Sequence, residues 1–109
     1  MTIERIEETI HDLFIKKKMK LSAAESCTGG HISAKLTALS GASNFFLGSI
    51  ICYCNFMKKK LLFVEEKLLK EKGAVSRECV EKMALSLLDI TDSDYSIAVS
   101  GIAGPNGGT

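Results

Sequence analysis

Ala24-Glu25-Ser26-Cys27-Thr28-Gly29-Gly30 reads as the end of a short strand, a turn and the start of a helix. Leu21 to Ala24 supplies the strand, in small and apolar residues. Ser26 then stands beside free backbone N–H groups at a helix N-terminus. Such a place can bind an anion, or support a nucleophile whose product is an oxyanion. A plain turn capped by serine or threonine has the same pattern. The run alone leaves both readings open.

Its flanks extend the alternation of strand and helix. Upstream, Ile3, Ile6, Ile10, Leu13 and Phe14 recur at helical spacing, which predicts an amphipathic helix over residues 3–17 with Thr2 as its cap. Downstream, Ile32, Leu36 and Leu39 mark one face of a helix from His31 to Leu39, closed by Gly41-Ala42-Ser43. Gly48 to Cys54 is apolar on both sides, as in a strand covered on both faces. In that strand Ser49, Ile51, Tyr53 and Asn55 would share one face, with Cys52 and Cys54 on the other. Phe56 to Leu62 and Glu65 to Lys72 read as short helices, the second stopped by Gly73. Ser76 caps the clearest helix, striped by Val80, Met83, Ala84, Leu87 and Leu88. Tyr95 to Ser100 is the last strand, and Gly101 to Thr109 a glycine-rich loop. Strands separated by helices argue for one three-layer α/β domain, without repeat or linker.

Composition narrows the function. The 109 residues suffice for one small domain. A net charge of +1 gives no general case for nucleic acid as partner. Apolar stretches break off well before the ~20 residues of a membrane helix, and the N-terminus lacks a signal-peptide pattern. A cytoplasmic protein is expected. Cys27, Cys52, Cys54 and Cys79 form no Cys-x-x-Cys pair, and only His11 and His31 could join them on a metal, so reduced thiols and no metal site are expected. Cys27 stands apart, because a thiol at a helix start can be acidified.

Further motifs add chemistry: Tyr53-Cys54-Asn55-Phe56-Met57-Lys58, Gly73-Ala74-Val75-Ser76 and Ser100-Gly101-Ile102-Ala103-Gly104-Pro105-Asn106-Gly107-Gly108-Thr109. No Ser-His-Asp triad is present, and neither glycine-rich loop ends in the Gly-Lys-Ser/Thr of a Walker A motif. His31 follows the glycines, but helix geometry points it away from the preceding turn. Lys58 has a plain alternative role as a solvated lysine beside Lys59 and Lys60.

Taken in order with Ala24 to Gly30 and Gly41-Ala42-Ser43, these motifs resemble the amidase domain of the CinA/PncC family, from about Leu21 to the last residue. The resemblance implies an α/β/α sandwich with a mixed sheet. It implies deamidation of nicotinamide mononucleotide to nicotinate mononucleotide and ammonia, with no cofactor. Ser26 would be the nucleophile and Lys58 its general base, with Tyr53 relaying or orienting. Such a dyad needs a neutral amine, the form that burial favours. Backbone N–H groups around Thr28, Gly29 and Gly30 would meet the oxyanion. Asn55, Ser100 and Gly101 would complete the substrate site, the last loop forming a nest for the phosphate. The partner is a small nucleotide rather than nucleic acid or membrane, and a homo-oligomer is expected. The alternative is a non-catalytic nucleotide-binding or interaction domain derived from this family.

This chain departs from the family pattern at Cys54, where serine is usual, and at Phe63 and Ser86, where glycine is common. Relatives also continue into further strands and a final helix. The chain therefore reads as the N-terminal two-thirds of the family domain, truncated at its C-terminus.

Overall fold

The computed structural model describes residues 5–101. Along them run α1 (Ile6–Lys17), β1 (Leu21–Glu25), α2 (His31–Leu36), a 3-10 turn (Ala42–Asn44), β2 (Phe46–Ile51), α3 (Asn55–Leu62), α4 (Glu66–Glu71), α5 (Arg77–Thr91) and β3 (Tyr95–Val99). The strands form one sheet in the order β2-β1-β3, and both pairings are parallel. Parallel neighbours need crossovers. The segment holding α2 makes the first, and α3 to α5 make the second. An antiparallel strand of the expected mixed sheet has no counterpart among the described residues.

The central strand is buried along its whole length. Its small residues Ser22, Ala23 and Ala24 let helices approach on both sides, and strand geometry sends alternate residues to opposite faces. On one face Leu21 joins Leu36, Ala42 and Phe45, with Ile10 and Phe14 of α1 and Ile97 of β3 packed against them. On the other, Ala24 joins Cys52, Leu62, Val64, Cys79, Met83 and Leu87, with Ile50 and Ala98 alongside. The result is three layers, with α1 and α2 on one side of the sheet and α3 to α5 on the other. Glu25 and Ser26, at the end of the same strand, accordingly leave on opposite sides.

Several boundaries differ from the expected ones. The strand expected at Gly48 to Cys54 begins earlier, because Phe46 is already in register with Leu21. It ends at Ile51, so Tyr53 and Asn55 share no strand face, and Asn55 opens α3. Helix α2 stops at Leu36, where the Thr37 hydroxyl bonds back to the carbonyls of Ser33 and Ala34. Ser76 caps α5 as expected, its hydroxyl accepting the Cys79 N–H at 3.1 Å. Phe63 ends α3 with φ +57°, in the left-handed region that favours glycine. The expected Thr2 cap, the start of the first helix and the glycine-rich loop from residue 102 onward lie outside the described residues.

Candidate active site

Of the run Lys58-Lys59-Lys60, the last two side chains are exposed and Lys58 is 2 % exposed. The helical turn of α3 aims that one amine inward. Its Nζ donates to Ser26 Oγ at 2.8 Å, to the Tyr53 carbonyl at 3.1 Å and to the Cys52 carbonyl at 3.2 Å. Ser26, itself 3 % exposed, also directs its hydroxyl at the Tyr53 carbonyl, at 3.4 Å. A serine and a lysine from separate elements thus meet in a dry place. The thiols of Cys52 and Cys79 belong to the same core, and burial pushes both up. They remain neutral neighbours. All four cysteines are free thiols.

Ser26 and Lys58 open on a hollow of about 240 Å³ lined also by Tyr53, Asn55, Ala74, Val75, Ser100 and Gly101. Six of the residues expected from the sequence therefore share one cavity. Ser100 Oγ is buried there without a hydrogen-bond partner among the described residues, which leaves it available to a ligand. A side chain at Gly101 would come within 3.3 Å of the Cys27 sulfur, so the backbone lies close against the nucleophile turn. Tyr53 meets the pair through its main-chain carbonyl, while its residue as a whole is 70 % exposed. His31 lies elsewhere, exposed and bordering a separate hollow with Ile6, Ile10 and Ile97.

Thr28, Gly29 and Gly30 form the turn beside the hollow rather than its wall. Gly30 takes φ +108°, and a Cβ there would stand 3.0 Å from the Ile51 side chain, so both conformation and space call for glycine. The Gly29 and His31 N–H groups are used within the turn, on the carbonyls of Ser26 and Thr28. Those of Ile32 and Ser33 go to the Glu25 carboxylate, at 2.8 and 2.9 Å. The N–H groups of Cys27, Thr28 and Gly30 find no such acceptor among the described residues.

Glu25 is the residue that the sequence reading left unused. It is fully buried, yet no cation stands beside it among the described residues. Its carboxylate accepts from the Thr28 hydroxyl at 2.7 Å, from the two α2 N–H groups and from the Ser33 hydroxyl, which also meets Ser49 of β2. Burial alone would raise its pKa. The hydrogen bonds from Ser33, Thr28 and Ile32 together outweigh burial and hold it below the ordinary 4.5. The only sequence signal was an acid at the end of a strand of small and apolar residues, one position before a candidate nucleophile.

A parallel α/β domain with a buried serine–lysine pair where its central strand turns into a helix is the class defined by this geometry. The family model described as the CinA C-terminal domain matches residues 3–109, and the chain belongs to that family. It is similar to a CinA-like protein of Pseudothermotoga lettingae, 50 % identical over 104 residues that cover 95 % of this chain and 26 % of the relative. A CinA-like protein of Thermotoga maritima is 45 % identical over 106 residues, covering 97 % and 26 %. Among solved structures, the competence/damage inducible protein CihA from Agrobacterium tumefaciens superposes with a TM-score of 0.91 at 37 % identity, covering 100 % of this chain and 69 % of that one. The competence damage-inducible protein A (ComA) from Klebsiella pneumoniae gives 0.91 at 34 % identity, covering 94 % and 64 %. The chain spans about a quarter of the length of the curated relatives it matches.

Proposed function

We propose that this domain is an amidohydrolase that converts nicotinamide mononucleotide to nicotinate mononucleotide and ammonia, working in the cytoplasm. The observation that carries the reading is the 2.8 Å approach of Lys58 Nζ to Ser26 Oγ, with both groups buried and both facing one hollow. Ser26 Oγ adds to the carboxamide carbon while neutral Lys58 takes its proton. The N–H groups of Cys27, Thr28 and Gly30, which find no acceptor among the described residues, are the turn donors open to the resulting oxyanion. Lys58 then hands the proton to the nitrogen, the C–N bond breaks, and ammonia leaves an ester on Ser26. Water, deprotonated by Lys58, cleaves that ester and releases the carboxylate product. Tyr53 offers an aromatic face at the mouth for the cationic pyridine ring. Ser100, whose hydroxyl has no partner among the described residues, supplies it to the bound nucleotide.

Ammonia release from nicotinamide mononucleotide, measured on the purified chain, tests the reading. Ser26→Ala should abolish release while calorimetry still detects mononucleotide binding. Cys27→Ala should retain most of the turnover. The opposite pattern would reassign the nucleophile. Binding by the wild-type chain with no release would select the non-catalytic nucleotide-binding reading.

A further inference from the structure

We propose that Glu25 is a positioning residue for Ser26, an internal anion that locks the nucleophile turn from the far side of the sheet. The proposal rests on the amidase reading for its kinetic consequences, but on geometry for its substance. Glu25 and Ser26 are consecutive, so strand alternation sends the hydroxyl toward α3 and the carboxylate toward α2. One carboxylate oxygen binds both the Thr28 hydroxyl, two residues past Ser26, and the Ile32 N–H. The other binds the N–H and hydroxyl of Ser33. The turn from Ser26 to Gly30 is thereby tied at its base to the helix that follows.

The same residue reaches the lysine side through its backbone. The Glu25 carbonyl accepts the Cys52 N–H at 2.9 Å. Cys52 and Tyr53 in turn present the two carbonyls that hold Lys58 Nζ. Glu25 therefore joins both halves of the dyad, one through its side chain and one through its main chain. It also satisfies the leading N–H groups of α2 from inside the protein. The Ile32 and Ser33 N–H groups are thus taken by the protein's own charge, while those of Cys27, Thr28 and Gly30 stay open on the turn.

Thr28→Val separates this role from a general structural one, because it cuts the tether to the turn while Ile32 and Ser33 still bind the carboxylate. The readout is the rate at which an aryl sulfonyl fluoride modifies Ser26, mapped by peptide mass spectrometry. In that reaction Ser26 oxygen displaces fluoride from sulfur as Lys58 takes the hydroxyl proton, so it reports the dyad without any nucleotide. Thr28→Val should slow labelling about tenfold to a hundredfold, the range expected for a nucleophile displaced by about 1 Å. Thr28→Val should still melt cooperatively, lowered only by the loss of one hydrogen bond to a carboxylate, and Thr28→Ser should restore both the melting temperature and the rate. In ammonia release the loss should fall on kcat with KM held, whereas loss of a substrate contact at Thr28 would raise KM. Glu25→Gln should lose labelling at least as far, and if it fails to fold the Thr28 pair decides. Wild-type labelling rates in Thr28→Val would overturn the proposal, as would a wild-type Ser26 that does not react. Ready labelling of Ser26 without ammonia release would overturn the amidase reading and leave the positioning role intact.

Discussion

Lys58 has three acceptors, and Ser26 alone among them can give a proton back. The Cys52 and Tyr53 carbonyls can only accept. When the amine carries two protons, both are drawn to those carbonyls, and its lone pair is left facing the Ser26 hydroxyl. Arginine cannot reproduce this, because a guanidinium stays protonated and offers no lone pair. Lys58→Arg should therefore lower kcat for ammonia release by about 10²–10⁴, the usual share of a general base. Lys59→Arg, on the exposed face, should leave kcat unchanged. Substantial turnover in Lys58→Arg would remove lysine from the mechanism. The pairing of Ser26 with Lys58 was legible only through the resemblance, whose motifs name side chains, since the residues alone allowed a plain cap and a solvated lysine. The role of Tyr53 in holding the lysine was not, since a main-chain carbonyl carries no residue signature. Nor was that of Glu25, whose partners Ile32, Ser33 and Ser49 are assembled only when α2 and β2 pack beside β1.

Helix α3 carries the lysine on an element with two weak ends. Cys54 is its N-cap and makes no side-chain capping bond, where a serine hydroxyl could accept a free N–H. Phe63 closes it at φ +57° with 61 % of its surface exposed, so little packing offsets the left-handed backbone. That conformation costs a side-chain-bearing residue about 1–2 kcal/mol. Cys54→Ser should stabilise the fold by about 1 kcal/mol. Phe63→Gly should gain about as much, less a part for the freer unfolded chain. Either change should raise the melting temperature by several degrees in a thermal scan, on the order of 4 °C per kcal/mol for a domain of this size. A fall in both would mean that the ends of α3 are held by contacts other than their caps. The two departures from the family pattern were visible in the sequence. Their physical meaning was not, because neither a φ angle nor an empty cap can be read from residue type. The long elements were legible for the opposite reason. The stripe on α5 is set by burial, which leaves a period in the sequence, whereas β2, expected to be covered on both faces, is an edge strand among the described residues with Leu47 and Ile51 exposed. The ends of β2 and α2 differed, because the pairing of Phe46 with Leu21 is settled between strands and the Thr37 hydroxyl turns back on its own helix.

At the scale of the whole molecule, the Glu25 carboxylate is where one helical layer is fastened to the sheet near the site. It lies on the central strand, binds the start of α2, and reaches β2 through Ser33 and Ser49. Each of these bonds is made to the ionised form. Its folded pKa lies below the ordinary 4.5, against the opposing push of burial. A depressed carboxylate stabilises the fold fully at pH values above its unfolded pKa. The contribution is lost as pH falls through the lower, folded value. Melting temperature should therefore be level around neutrality and begin to drop below about pH 4–5. Glu25→Gln keeps the shape but replaces one acceptor oxygen by a donor that faces N–H and O–H groups. It should cost about 1.5–3 kcal/mol at pH 7, as expected for hydrogen bonds to a charged group. The cost should shrink as the wild type is protonated, so the two melting curves converge on the acid side. A constant gap between them from pH 7 down to pH 3 would show that the charge of Glu25 contributes nothing and that its shape alone holds the layers together.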